Sequence, residues 1–266
     1  MVAPIVAVDD PADVRLADFA GLRRRSPSPA DGYFVAEGAL VIRQLLDSPY
    51  PLRSLLVTDR GLRLLDPDLA RIDVPVYVAS QEVIDTVAGF HYHRGALASA
   101  DRMPLPDPDT LAAGGDLVVV AEGVGDHENL GAIFRNAAAF GARPVLLGPG
   151  CGDPLSRRCV RVSMGQALRV AHSRLDGWPG AVTRLRDLGF EVLALTPAAD
   201  AEDVRSVEAR PRQVLLVGSE GVGLTAAAMA AADRRVRIAM APDVDSLNVA
   251  TAAAVALHHL ARPPAA

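Results

Sequence analysis

From residue 116 onward, short apolar runs alternate with stretches of helical spacing, and few folds accommodate that pattern. The runs are 116–121, containing Leu117-Val118-Val119-Val120, then Val145-Leu146-Leu147, Val192-Leu193-Ala194-Leu195, Val214-Leu215-Leu216-Val217 and 236–240. Each is close to continuously apolar, as in a strand buried on both faces. Between them, 130–140, 178–188, 224–232 and 247–260 have helical spacing. Strand and helix in repetition predict an α/β fold with a parallel sheet covered on both sides. Ligands of such sheets sit beyond the carboxyl ends of the strands, which is where this chain places its glycines.

Three loops stand out there. The first follows Val120 and runs Glu122-Gly123-Val124-Gly125-Asp126-His127-Glu128-Asn129 into a helix that buries Ile133, Ala137 and Phe140. Asn129 stands where an N-cap is expected. Arg135 lies two residues beyond Ile133, roughly 200° around the helix from that stripe. It therefore faces solvent, a substrate or a second subunit. The second loop, Gly218-Ser219-Glu220-Gly221-Val222-Gly223, is rich enough in glycine to let backbone approach a ligand closely. Thr225 can cap the helix after it. Its G-x-x-G-x-G spacing and late position separate it from the dinucleotide-binding fingerprint. The third loop ends Asp245-Ser246-Leu247-Asn248-Val249 and enters a long alanine-rich helix that Ser246 can cap. That helix has two apolar stripes, one through Leu247, Ala250, Ala254, Leu257 and Ala261, the other through Val249, Ala253, Ala256 and Leu260. It is buried nearly all round, or buried on one side and available to a second subunit on the other.

Residues 103–115, with three alternating prolines and a Gly-Gly end, read as a linker. They divide the 266 residues into a module over 1–102 and a larger one over 116–266. In the first, 38–46 has helical spacing, while 54–58 and 74–79 read as short strands. Ser80 can cap a helix with Val83, Ile84 and Val87 on its apolar face. This is a small α/β domain. With 50% hydrophobic and 22% charged residues, the chain is not disordered. No apolar run reaches the ~18 residues of a membrane span, and the start lacks a basic n-region, so a cytoplasmic protein is expected. A net charge of −5 argues against indiscriminate nucleic-acid binding, and neither module is basic overall. Any RNA contact must be a local patch. All 27 basic residues are arginine; that reads first as codon usage, although arginine suits phosphate. Cys151 and Cys159 are too few for a disulfide framework or a zinc site, and no metal is expected.

In this order and spacing, residues 129–141 (NLGAIFRNAAAFG), 216–224 (LVGSEGVGL) and 238–249 (ending DSLNV) resemble the three motifs of SpoU-type RNA ribose methyltransferases, the TrmH-like branch of the SPOUT superfamily. The first module is similar to that family's substrate-binding module through Tyr33-Phe34-Val35-Ala36-Glu37-Gly38, Leu55-Leu56-Val57-Thr58 and His93-Arg94-Gly95. The resemblance implies a C-terminal sheet whose last segment threads a loop as a trefoil knot. It implies an N-terminal module of the ribosomal-protein L30e type that holds RNA, S-adenosylmethionine as methyl donor, and a homodimer. Two positions depart from the family pattern: Ala239 stands where proline is usual, and Asn136 where many relatives carry serine or threonine.

The implied reaction is methyl transfer to a ribose 2′-hydroxyl of RNA, ribosomal in preference to transfer RNA. The resemblance makes Arg135, Asn129, Glu220, Ser246 and Asn248 the catalytic set. Arg135 would bind phosphate and orient the hydroxyl; a guanidinium is too weak an acid to give up its proton and serve as a base. Asn129 would fix Arg135 or the ribose, Ser246 and Asn248 would order the third loop, and Glu220 is one candidate to take the proton. Backbone at Gly218, Ile238 and Leu247, with Thr196 and Ser246, would meet the cofactor. Arg94, His93, Arg157, Arg158, Arg161 and the run Arg23-Arg24-Arg25 are candidates to hold RNA, each also readable as surface charge. Two rival readings are a non-catalytic RNA- or ribosome-binding relative and a nucleotide-binding oxidoreductase. The presence of the five catalytic candidates argues against the first. The missing early glycine fingerprint argues against the second.

Overall fold

The computed structural model describes residues 3–24 and 26–261; Arg25 lies outside them. In chain order its elements are β1 (Ile5–Ala7), β2 (Tyr33–Glu37), α1 (Ala39–Leu46), β3 (Leu52–Val57), α2 (Asp59–Leu65), β4 (Val76–Val78), α3 (Gln81–Ala88), β5 (Ala96–Asp101) and α4 (Pro108–Ala113). Then follow β6 (Leu117–Ala121), α5 (His127–Ala139), β7 (Val145–Leu147), α6 (Arg157–Val162), β8 (His172–Arg174), α7 (Gly180–Asp187) and β9 (Glu191–Leu195). The chain ends with β10 (Glu202–Asp203), β11 (Gln213–Val217), α8 (Ala226–Ala231), β12 (Arg234–Arg237) and α9 (Val249–Leu260). They form two compact units, Met1–Met103 with Pro154–Arg169, and Pro104–Asp153 with Val170–Ala266.

The first unit holds a mixed sheet in the order β1-β4-β3-β5-β2. Successive side chains of a strand point to opposite faces, and both faces here are covered. Phe34, Ala36, Leu55, Val57, Ala96 and Ala98 pack with Val41, Ile42 and Leu45 of α1. The alternate residues Val35, Leu56, Tyr77 and Leu97 pack with Phe19 and with Val83, Ile84 and Val87 of α3. As expected, Ser80 caps α3, accepting from the Val83 N–H at 3.2 Å.

The second unit is built on a seven-stranded sheet in the order β10-β12-β9-β11-β6-β7-β8, and every neighbouring pair is parallel. Val118, Val120, Val192, Ala194, Val214 and Leu216 face Ala181, Val182 and Leu185 of α7. The residues between them, such as Val119, Leu193 and Leu215, are equally buried. α9 packs on α5 and β11, and the Asn136 side-chain amide of α5 donates to the Ala250 carbonyl at 2.8 Å. Among the described residues, no helix is long and apolar enough to cross a membrane.

The structure departs from the sequence reading at several points. Residues 103–115 are not a bare linker: Pro108 occupies the first turn of α4, and the Asp107 carboxylate accepts from the Thr110 N–H at 2.7 Å. Proline is well placed at a helix start, where its missing N–H has no intrahelical partner. Helix α5 begins before Asn129, because Asp126 is its N-cap and accepts from the Glu128 and Asn129 N–H groups at 2.9 Å each. The cap of α9 is Asn248, not Ser246. Strand β12 starts at the charged Arg234 and ends at Arg237, leaving 238–240 outside the strand. Its arginines are satisfied laterally, Arg234 by Glu202 and Glu191, Arg235 by Asp200. Strands β1, β8 and β10, two or three residues each, are too short to register as periodicity. The largest difference is residues 154–169, placed by sequence in the second module. They cluster with the first unit, where Leu155, Val160 and Leu168 join the core beneath α1.

Candidate active site

Strands β12, β9 and β11 lie side by side and point the same way, so the residues after each converge at one edge of the sheet. There they line a cleft of about 390 Å³, within the range that holds small organic ligands. Its lining includes Leu195, Thr196, Val217, Gly218, Ile238 and Met240. Ser246, Leu247, Asn248 and Val249 complete it. Gly218, Ile238, Leu247, Thr196 and Ser246, the residues expected to meet a cofactor, all lie on this lining.

The glycine loop explains why its first position carries no side chain. A Cβ at Gly218 would lie 2.3 Å from both the Gly223 carbonyl carbon and the Leu224 nitrogen, so any larger residue would force the loop open. Gly221 and Gly223 adopt φ of +83° and +72°, the left-handed region that glycine enters freely. The Gly223 N–H donates to the Ser219 carbonyl at 3.1 Å, doubling the loop back on itself. Val222 is left at its tip, 90% exposed.

Three catalytic candidates join at the mouth of the cleft. The Asn248 side-chain amide donates to Glu220 Oε1 at 2.6 Å and to Asn129 Oδ1 at 2.8 Å. Asn129 can take part because Asp126 has relieved it of capping. Ser246 lines the cleft beside them. Arg135 stands exposed on α5, as expected, outside the cleft lining and without an ion pair among the described residues.

The candidate RNA contacts all fall in the first unit. Arg23, Arg24, His93, Arg94 and Arg158 are exposed, and the His93 ring packs edge-on against His91 with centroids 4.1 Å apart. Arg157 is half-buried, with its guanidinium 4.8 Å above the Phe90 ring; burial holds its pKa below the ordinary value. Arg161 pairs at 3.0 Å with the buried carboxylate of Glu37. Cys151 and Cys159 are buried, and burial pushes the Cys151 thiol up.

One residue that sequence reasoning gave no role holds the end of the glycine loop. Glu122 is 4% exposed, at the end of β6. Its carboxylate accepts from the Trp178 indole N–H at 2.6 Å, from the Thr225 N–H at 2.8 Å and from the Thr225 hydroxyl at 2.9 Å. The available signal was a single acid closing an otherwise apolar strand.

The sequence profile of the SpoU rRNA methylase family matches residues 116–258. The chain belongs to the SpoU rRNA methylase family. The match runs from the start of β6 almost to the end of α9 and so includes all three loops of the cleft. A Mycobacterium tuberculosis protein named as an uncharacterized tRNA/rRNA methyltransferase is 48% identical over 263 residues, covering 96% of this chain and 91% of its own. An AdoMet-bound rRNA methyltransferase from Sinorhizobium meliloti superposes with a TM-score of 0.82 at 25% identity, covering 96% of this chain and 97% of its own. A structure described as an RNA 2′-O ribose methyltransferase gives 0.77 at 28% identity, covering 96% and 98%. Both solved structures are thus matched along both units of the chain.

Proposed function

We propose that the chain is an S-adenosylmethionine-dependent methyltransferase acting on a ribose 2′-hydroxyl of ribosomal RNA. The observation that carries this reading is the convergence of the segments after β9, β11 and β12 on a single cleft, the last two bearing family motifs, with the first motif joined to them through the Asn129–Asn248 hydrogen bond. The cleft fits the donor. It has the volume of a small-ligand site, bare backbone at Gly218 where a side chain would intrude, and polar Thr196 and Ser246 beside apolar Leu195 and Ile238. The family name and the rRNA methyltransferase from Sinorhizobium meliloti support the ribosomal substrate. The 2′-O ribose methyltransferase neighbour supports the position of methylation.

Bound in the cleft, the donor supplies an electrophilic methyl whose bond to sulfur breaks as a bond to the ribose oxygen forms. Backbone at Gly218, Ile238 and Leu247, with Thr196 and Ser246, holds it. Glu220, with one oxygen engaged by Asn248, stands at the mouth to take the hydroxyl proton. Asn129 steadies Asn248 from the other side. Arg135, permanently charged, binds an RNA phosphate and orients the ribose, since in-line geometry supplies much of the rate. Exposed Arg94, His93, Arg158 and Arg23 hold RNA, while Arg157, over the Phe90 ring, and Arg161, paired with Glu37, are engaged within the first unit. A cytoplasmic homodimer, an L30e-type first unit and the trefoil knot belong to the same proposal. The Asn129–Asn248–Glu220 linkage favours catalysis over the non-catalytic alternative, because its groups are arranged at the cleft mouth.

The test is methyl incorporation. The purified chain with labelled donor is presented with ribosomal and transfer RNA, and the digested nucleosides are separated. Label in a 2′-O-methylnucleoside from ribosomal RNA is expected. Label on a base, label confined to transfer RNA, or none at all overturns the assignment.

A further inference from the structure

We propose that Glu122 is a positioning residue for the cofactor loop, and that through it the chain's single tryptophan reports whether the cleft is filled. This rests on the reading of the cleft as the donor site.

The loop over 218–224 leaves the sheet at Val217 and returns at Thr225. Its two ends touch, since the Gly218 Cα stands against the Gly223–Leu224 peptide with no room for a Cβ. Movement at one end therefore moves the other. Glu122 holds the returning end with two of the three bonds its carboxylate accepts, one from the Thr225 N–H and one from the Thr225 hydroxyl. That hydroxyl in turn accepts from the Ala228 N–H at 3.2 Å and caps α8. The first loop supports the second at another point, because a Cβ at Gly123 would lie 3.2 Å from the Ser219 Cβ.

The third bond to Glu122 comes from Trp178. Its ring packs over Gly148, where an added Cβ would lie 3.2 Å away. Trp178 is the only tryptophan in the sequence. One carboxylate thus links the exit of the cofactor loop to the one indole. Glutamate suits the post because all three partners donate, and a carboxylate is acceptor-only. A glutamine would turn its NH₂ toward one of those donors. A residue serving only to cap α8 would need no tie to the indole, and its loss would lower stability without touching ligand affinity.

The experiment titrates the full-length protein with S-adenosylmethionine, followed in parallel by calorimetry and by tryptophan fluorescence. The wild type should give heat of binding and an emission shift with the same midpoint. Glu122→Gln should bind about tenfold more weakly, the effect of one lost hydrogen bond to a charged group, and its emission should no longer respond. Thr225→Val keeps the Glu122–Trp178 bond and removes one link to the loop; it should also weaken binding, and it serves as the test if Glu122→Gln does not fold. Heat without an emission shift in the wild type, or wild-type affinity in whichever variant folds, overturns the proposal alone. Absence of heat in the wild type overturns the cofactor reading, and this proposal with it.

Discussion

Asn248 uses every hydrogen-bonding position of one amide. Its oxygen accepts from the Ala250 and Thr251 N–H groups at 3.0 and 3.1 Å, capping α9. Its nitrogen donates to Glu220 and Asn129. The residue that starts the last helix is therefore the one that gathers the cleft mouth. Asn248→Asp separates the two tasks. Aspartate caps as well as asparagine, so the melting temperature should change little. The two donors are lost, however, and a carboxylate is set against the carboxylate of Glu220. Methyl transfer should fall by at least about a hundredfold, the equivalent of roughly 3 kcal/mol for lost hydrogen bonds plus like-charge repulsion. An activity close to wild type, with circular dichroism confirming an intact helix, would remove Asn248 from the site. At this scale the sequence was informative where side chains belong to a motif. Asn248, Glu220 and Ser246 could be marked in advance. Glu122 could not, because its value comes from Trp178 and Thr225, 56 and 103 residues away, and only folding brings those donors to it.

The sheet elements were legible in their middles and not at their ends. Leu117-Val118-Val119-Val120 and Val214-Leu215-Leu216-Val217 are apolar because both faces of the sheet are covered, and composition alone reveals that. The ends of β9 and β12 carry Glu191, Arg234 and Arg235, which resemble loop residues until their partners are known. Glu191 accepts from Gln213 at 2.9 Å and from Arg234 at 3.3 Å, and it also pairs with Arg210. Burial pushes its carboxyl up, but hydrogen bonds from Arg210, Gln213 and Arg234 outweigh that and hold its pKa below the ordinary 4.5. The sign follows. A carboxyl whose pKa is depressed on folding stabilises the protein fully above its unfolded value, and that contribution fades as the pH falls through the folded one. Glu191→Gln should therefore lower the melting temperature at neutral pH and flatten its fall below about pH 4.5. Parallel melting curves of the two proteins down to pH 3 would show that Glu191 adds nothing to acid sensitivity. The misplaced start of α5 has the same origin: either Asp126 or Asn129 can cap, and the folded chain uses Asp126.

The whole molecule is threaded less simply than its motifs suggest. The first unit takes in residues 154–169, a stretch between β7 and β8 whose Leu155, Val160 and Leu168 complete the core under α1. Periodicity could not reveal this, since a six-residue helix such as Arg157–Val162 carries no record of which sheet it covers. Leu168 is 2% exposed, and Leu168→Ala should cost about 2–5 kcal/mol. The loss belongs to the first unit. Hydrogen exchange should accelerate at β2, β3 and β5 and leave β6 and β11 protected; uniform acceleration, or acceleration confined to the seven-stranded sheet, would count against this account. There is also a consequence for anyone recombining such proteins. The front module cannot be exchanged between relatives through a single crossover near residue 103, because part of its interior is encoded some fifty codons downstream. A chimera joined once would inherit leucines shaped to a foreign host, whereas one joined at both borders would bring its own.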